Sequence, residues 1–589
     1  LTLETDMVEL RVKPLNQTIE ASRGETVREA LQRGGIHIDG ACDGLGVCGQ
    51  CTVWASAQGP VPETPHESIS RAQMDRGLRL SCQLRADQDM ELELHGNYTL
   101  EAHFRDESGP ILVGDFSRSQ ELDPAVKVMP AKDGWKVSYE HGSAEPLGQW
   151  ADQFEPKGLA VDIGTTTLVV SLISLITGQE LANASSLNPQ IRFGHDVLTR
   201  VQKGSSPEGL NDLASAVRGG VNDLIREACQ ASSSDPLEIL DAVVGGNTTM
   251  LELCAGINPE PLGRIPFQVD ILSGSWVPVS SFGFEANPAA RVYIPPVVHA
   301  FVGSDVSSGL LVSDGFFEDE GRMLFLDVGT NGEMGVSNGP QRLVTSTAAG
   351  PAFEGAGLSS GMRAARGAVE TVTRWGDELQ FGTIGDTEPR GICGSGLIDL
   401  LTMLLSTGIL DPSGRLHRAE ECPDVPEGLR RHLDEEDEQP VFRINPNVVL
   451  RQNDIRQLQL AKSAIRTGMD LLLEEAGLEP EALDRVVIGG GFGNYLRPPS
   501  LEAIGMLPPN TAHKVTFGGN TSWRGCAELL VSVARRRFLE QEVNHVRHLP
   551  IAEKTEFMDL FVQNMEFPEP ALEPSCETED RPLSGLQAT

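Results

Sequence analysis

Positive charge is what this sequence is shortest of. Its 589 residues carry 47 Lys and Arg against 84 Asp and Glu, a formal net charge of −37. A field of that sign repels phosphate backbones and anionic bilayers, so nucleic acids and membrane surfaces are disfavoured as partners. Long apolar runs are also missing. The most apolar extended stretch, 159–176, is broken by Asp162 and Gly164, which marks a buried strand entering a loop rather than a membrane span. The opening LTLETDMVEL has neither a basic start nor an apolar core, so no signal peptide is expected and a cytoplasmic location follows. Cysteine is sparse: ten in the whole chain cannot make a disulfide scaffold at this length.

The remaining composition is that of folded protein, with 40% hydrophobic and 22% charged residues, and the length allows several domains. Four cysteines are not scattered. Cys42, Cys48, Cys51 and Cys82 leave gaps of five, two and thirty residues. Four thiolates suit a two-iron cluster, since each iron takes two. Gly44, Gly46 and Gly49 let the backbone wrap closely and aim N–H groups at the sulfides, which tunes the potential. The first gap is one residue longer than the plant-type spacing. Zinc is the alternative, but zinc ribbons pair two short knuckles, and here the fourth cysteine stands alone. The other six (Cys229, Cys254, Cys393, Cys422, Cys526, Cys576) read as buried or incidental thiols.

The surroundings of the four cysteines agree. MVELRVKPLNQTIE (7–20) reads as two strands about a turn at 14–16. Thr26 and Glu29 have capping-box spacing and open a helix that Gly34-Gly35 stops. TVWA after Cys51 and the alternating MELELHG (90–96) supply further strands. Residues 1–97 therefore form a ferredoxin-like domain of β-grasp type, and 98–156 a linker with a small β-rich middle piece.

From Lys157 short apolar strands alternate with helices. LAVDIGTTTLVVSLI (159–173) is echoed by LFLDVGTNGEMGVSN (324–338), so residues 157–565 read as two similar subdomains facing one cleft. The acidic run DEEDE (434–438) reads as a solvated loop, and the Pro-, Glu- and Ser-rich 566–589 as disordered.

Each half of the echo holds a turn that can cradle phosphate with backbone N–H groups. The first comprises Asp162, Gly164, Thr165, Thr166 and Thr167; the second Asp327, Gly329, Thr330, Asn331 and Gly332. The carboxylates are candidates for holding the water shell of Mg2+ or orienting an attacking water. No Gly-Lys-Ser/Thr follows either turn, so neither is a Walker loop. Paired Asp-x-Gly-Thr turns also occur in aspartic proteases, but in a largely β fold. Gly489, Gly490 and Gly491 end a third apolar strand, where bare backbone lets adenosine approach. Lys462 and Arg466, one helical turn apart, either flank the nucleotide or lie on a solvated face. The turn Gly391–Gly396 serves an anion or tight helix packing, and the loop 345–355 supports the nucleotide or meets the redox partner.

Taken together, ACDGLGVCGQC, VDIGTTT, NPQIRFGHDVLTR (188–200), GGNTTM (245–250), LDVGTNGEM, AAGPAFEG (348–355), GICGSGLID and IGGGFGNYL resemble the reductive activators of corrinoid proteins. These are redox ATPases of the acetate and sugar kinase, Hsp70 and actin superfamily. The resemblance implies an α+β and α/β multidomain chain: a β-grasp 2Fe-2S domain followed by a duplicated actin-like, ribonuclease H-like ATPase domain. It further implies a cluster on Cys42, Cys48, Cys51 and Cys82, ATP and Mg2+ at the two Asp loops, and adenosine at Gly489–Gly491. The expected partners are a corrinoid protein of a methyltransferase system, restored from Co(II) to Co(I), an upstream electron donor, and a second copy of the chain. The interval 98–156 is shorter than the middle domain that the family usually carries. Rival readings are an ATP-coupled donor to another low-potential acceptor, a redox-sensing ATPase, and a small-molecule kinase.

Overall fold

The computed structural model describes residues 7–13, 17–33, 36–38, 51–57, 59–66, 69, 71–93, 98–100, 122–131, 134–139, 145–148, 154–194, 196–355, 358–362, 364, 366–490 and 496–569. The strand Met7–Lys13 alternates exposed and buried residues, turning Val8, Leu10 and Val12 inward. It pairs antiparallel with Gln17–Ser22 and parallel with Met90–Glu93. Thr52–Ala57 and Leu78–Leu80 complete a five-stranded sheet, and the helix Val27–Arg33 packs Val27, Ala30 and Leu31 onto it. The capping box is present, with Thr26 N–H donating to Glu29 Oε2 at 3.0 Å and Glu29 N–H to Thr26 Oγ1 at 3.2 Å. A parallel pair at the centre of an otherwise antiparallel sheet, with one helix across it, is the β-grasp arrangement.

Two boundaries shift. Tyr98–Leu100 pairs antiparallel with Ile36–Ile38, so residues assigned to the linker belong with the ferredoxin domain. The β-rich middle piece is a sheet of Val126–Ala131, Gly134–Tyr139 and Glu145–Gly148. Val126, Val137 and Tyr139 share an apolar cluster with Leu240, Tyr293 and Leu530, so this sheet leans on the back of the first ATPase lobe.

The two lobes repeat one plan. In the first, Glu180–Leu187, Thr167–Ser174 and Lys157–Ile163 form an antiparallel meander, and Ile239–Gly246 then Arg291–Ile294 add in parallel. In the second, Gln341–Thr347, Gly332–Asn338 and Arg322–Val328 form the meander, and Arg485–Gly489 then Val515–Gly519 add in parallel. The correspondence reaches single residues: on the parallel neighbour strand Asp162 faces Gly245, and Asp327 faces Gly489. Helices Ser304–Leu311 and Thr521–Val531 cross between the lobes, so closely that a Cβ on Gly525 would sit 2.2 Å from the Ser308 carbonyl oxygen.

Two other expectations change. DEEDE is part of a β-hairpin, Leu433–Glu436 with Gln439–Asn445, held by Asp434–Arg443 at 2.8 Å and Glu436–Arg451 at 2.7 Å. Phe567 is buried, its N–H donating to the Pro412 carbonyl at 2.8 Å, so the first residues of the tail are packed; 570–589 lie outside the described residues. Among the described residues no helix is long and apolar enough to cross a membrane.

The helix Val533–Glu542 is fastened to the first lobe by a buried ion pair, Arg536 Nη2 to Asp241 Oδ2 at 2.8 Å. Arg536 also stacks over Trp276 and Tyr293, at 4.3 and 4.7 Å from the ring centres. Removing one partner strands a buried charge, so Asp241→Ala is expected to destabilise by about 3–5 kcal/mol, and Asp241→Leu with Arg536→Met to recover most of it. Chemical denaturation checks this; a double variant as unstable as the single one contradicts it.

Candidate nucleotide cleft and cluster site

Both Asp-bearing strands end at the cleft between the lobes. Each following turn is pinned from within: Gly164 N–H donates to the Thr167 carbonyl at 2.9 Å, Gly329 N–H to that of Asn331 at 3.0 Å. The turns meet. The Thr166 and Thr330 hydroxyl oxygens are 3.2 Å apart, and each donates to a different oxygen of Glu354, at 3.1 and 2.5 Å. Glu354 belongs to the loop 345–355, which the structure thereby assigns to the support of both turns. Thr165 and Thr167 lie within the first turn, Asn331 and Gly332 within the second.

Asp162 accepts from Ser522 Oγ at 2.7 Å and Asn520 Nδ2 at 2.8 Å. These donors come from the start of a helix that follows the second lobe, so chain ends far apart in sequence fix the first carboxylate. Burial still raises the proton affinity of Asp162. Burial and the nearby Asp162 push Asp327 up to about 7. Two further acids complete the cluster. Asp305, in the first turn of Ser304–Leu311, is pushed to about 8 by burial and then by Asp327 and Asp162. Glu333 is raised well above the carboxylate range by burial, Asp305 and Asp327. Neither was picked out from the sequence. Glu333 sits one residue beyond the second turn; Asp305 opens a helix after FVGS, with no glycine-rich signature of its own.

Gly489 and Gly490 lie against this cluster. Gly490 has φ +89°, and a Cβ there would sit 2.6 Å from Asp327 Oδ1. Gly491 lies outside the described residues. Lys462 and Arg466 do not reach the cleft and are not solvated. Lys462 is buried, donates to the Glu566 carbonyl and lies 4.9 Å from the Phe567 ring centre, while Arg466 pairs with Asp470 at 2.8 Å. The turn at 391–396 packs tightly: a Cβ on Gly394 would be 1.8 Å from the Phe353 carbonyl, one on Gly396 2.0 Å from that of Val369.

Among the described residues no three His, Cys, Asp or Glu side chains converge to chelate an ion. Mg2+ keeps several waters and commonly takes only one or two carboxylates with the substrate phosphates, and the acid-rich cleft fits that mode. In the ferredoxin domain Cys51 and Cys82 are buried thiols with sulfurs 3.2 Å apart. A hydrogen bond with Cys82, helped by Ser81 and Arg28, pulls Cys51 down to about 6 despite its burial. Two adjacent thiols of this kind are the donor chemistry an iron–sulfur cluster requires. Cys42 and Cys48 lie outside the described residues.

Fold and site define a class: a ferredoxin domain joined to an actin-like ATPase. Residues 10–87 match the 2Fe-2S iron-sulfur cluster binding domain, 157–315 the RACo middle region, and 321–577 the C-terminal domain of RACo, the ASKHA domain. The family's middle region thus falls on the first lobe here, not on 98–156. The chain is 30% identical to the corrinoid activation enzyme RamQ of Eubacterium limosum, over 94% of this chain and 98% of that one. It is 25% identical to the [Co(II) methylated amine-specific corrinoid protein] reductase of Methanosarcina barkeri, over 64% of this chain and 70% of that protein. A solved reductive activator for corrinoid, iron-sulfur protein superposes with TM-score 0.68 at 31% identity, covering 95% of this chain and 98% of its own. The chain belongs to the family of reductive activators of corrinoid proteins.

The raised acids carry a pH signature. Unfolded, Asp327 and Asp305 ionise in the ordinary carboxylate range; folded, at about 7 and about 8. The native state therefore holds the extra protons across that window, and stability falls as pH rises through it. The thermal midpoint of nucleotide-free protein is expected to drop between about pH 6 and pH 8.5, and Asp305→Asn to flatten the profile. A nucleotide-free profile that is already flat there would show the acids to be independent.

Proposed function

We propose that this chain reactivates a corrinoid protein at the expense of ATP, returning one electron to Co(II) so that Co(I) is restored for methyl transfer. One observation carries the reading: a buried thiol pair in a β-grasp domain and an acid-lined, two-lobed phosphate cleft occupy one chain that aligns end to end with a reductive activator.

Cys42, Cys48, Cys51 and Cys82 hold the 2Fe-2S cluster, which supplies single-electron chemistry when bound. The Gly164–Thr167 and Gly329–Gly332 turns take the ATP phosphates on their N–H groups, and Gly489–Gly491 meet adenosine. Asp162 and Asp327 hold the water shell of Mg2+, and Asp305 orients the attacking water. Glu354 ties the two threonine-bearing turns together and so reads whether phosphate lies between them.

Coupling is required by the size of the redox step. Each 59 mV uphill in a one-electron transfer costs about 1.4 kcal/mol, and Co(II) in a corrinoid is harder to reduce than a common two-iron cluster is to oxidise. ATP-dependent closure of the lobes around bound phosphate can favour partner docking or release and draw the transfer forward. An upstream reductant reloads the ferredoxin domain after each turnover.

Anaerobic mixing of reduced protein, Mg·ATP and a Co(II) corrinoid protein is expected to produce the Co(I) absorption band and to accelerate ATP hydrolysis. Cys51→Ser should abolish the band while sparing basal hydrolysis. Asp305→Asn should slow hydrolysis by about a hundredfold, the lower end for loss of a general base. Hydrolysis indifferent to the corrinoid protein would refute the coupling, and phosphate appearing on an added small acceptor would point to a kinase.

A further inference from the structure

The stretch 188–200 contains an expensive side chain that the cleft description leaves without a role. Arg200 is fully buried at 0% exposure, and its Nη2 has no partner among the described residues. No carboxylate among them is at ion-pair distance; Asp196, a turn back, attracts it only at longer range and spends its oxygens on Thr199. Desolvation accordingly drags Arg200 down to about 10. Arg536, another buried guanidinium, has Asp241 to neutralise it. A buried cation without a counter-charge is a poor stabiliser that an apolar residue of similar size could replace to advantage. Its presence calls for a reason beyond packing.

The hydrogen bonds of Arg200 supply one. Nε donates to the Gly194 carbonyl at 2.9 Å and Nη1 to Gln190 Oε1 at 3.2 Å, with Met250 Sδ 3.1 Å from the same nitrogen. Gln190 is also fully buried, and its Nε2 donates to the Leu213 carbonyl at 3.0 Å. Its Oε1 receives a second donor, Asn188 Nδ2, at 3.3 Å. Asn188, buried too, accepts at Oδ1 from Gln190 N–H at 3.0 Å and donates from Nδ2 to the Gly164 carbonyl at 2.9 Å. Its own N–H donates to the Thr166 carbonyl at 2.8 Å. A continuous path runs from the guanidinium to two carbonyls of the first phosphate turn.

Peptide geometry gives that path a consequence. Each peptide is planar and trans, so a tethered carbonyl aims the following N–H the opposite way. Fixing the carbonyls of Gly164 and Thr166 turns the N–H groups of Thr165 and Thr167 away from Asn188. Arginine suits the far end because it only donates and does not lose its charge. It forces Gln190 to present oxygen, so the Asn188 amide has one orientation. We infer that Arg200, acting through Gln190 and Asn188, is a positioning residue for ATP that sets the direction of the amides in the Gly164–Thr167 turn. This rests on the reading of that turn as a phosphate loop.

The test is ATP hydrolysis by the full-length, cluster-loaded protein carrying Arg200→Met, Arg200→Lys, Gln190→Leu or Asn188→Ala, with Asp162→Asn alongside. Gln190→Leu cuts the path without touching the charge, so it decides the matter even if Arg200→Met does not fold. Gln190→Leu is expected to raise KM for Mg·ATP about tenfold, the worth of one net hydrogen bond, with kcat little changed and the cluster absorption intact. Arg200→Lys should fall between wild type and Arg200→Met, and adding Arg200→Met to Asn188→Ala should raise KM no further. Variants that lower the melting temperature but leave KM unmoved, while Asp162→Asn still impairs turnover, would overturn the inference alone. If Asp162→Asn also leaves turnover unchanged, the phosphate-loop reading falls with it.

Discussion

Four carboxylates, Glu333 buried and Asp162, Asp305 and Asp327 half-buried, crowd where two lobes meet, and most of the cleft is organised around holding them there. Asp162, Asp305, Asp327 and Glu333 come from two β-strands, a helix start and the strand after the second turn. Burial raises every one of them, and repulsion by neighbouring acids adds to it at Asp305, Asp327 and Glu333. Asp162 has two strong side-chain donors, Ser522 and Asn520, and these belong to the helix crossing between the lobes. An arrangement this costly persists only where the surrounding fold over-determines it, as functional sites do. The same crowding that makes the cleft proton-hungry is what a divalent cation with its phosphates would offset.

The cleft also explains how binding at one place can be felt elsewhere. Thr166 belongs to the first lobe, Thr330 to the second, and Glu354 receives a hydroxyl from each. That bridge ties the two lobes together beside the crossing of the cleft-facing turns. The ferredoxin domain touches the second lobe through His66, edge-on to Trp375 at 6.5 Å between ring centres. A ring contact of that kind is easily made and broken.

What could be read from the sequence was local, and what could not was convergent. The cysteine spacing, the capping box at Thr26 and Glu29 and the repeated strand–turn–strand each lie within a few dozen residues, and their chemistry shows in order along the chain. The duplicated plan followed from the echo of Asp162 by Asp327, and its actin-like kinship from the family resemblance. Asp305, Glu333 and Glu354 were not assigned, because their importance comes from who faces them across the cleft. Lys462 failed for the same reason: helical spacing places it on a face, but residues 566 and 567 fold back and bury it. DEEDE is solvated as expected, four of its five residues being exposed, but the strand 439–445 that pairs with it and makes it a hairpin lies beyond it in the chain.

The cleft acids are expected to hold protons until a metal–nucleotide complex displaces them. Calorimetry of Mg·ATP-analogue binding near pH 7, repeated in buffers of different ionisation heat, measures those protons directly. Net release to the buffer is the expected result, with the observed enthalpy changing from buffer to buffer. An enthalpy independent of the buffer would mean that the four carboxylates are already ionised, and that the cleft is not built around their repulsion.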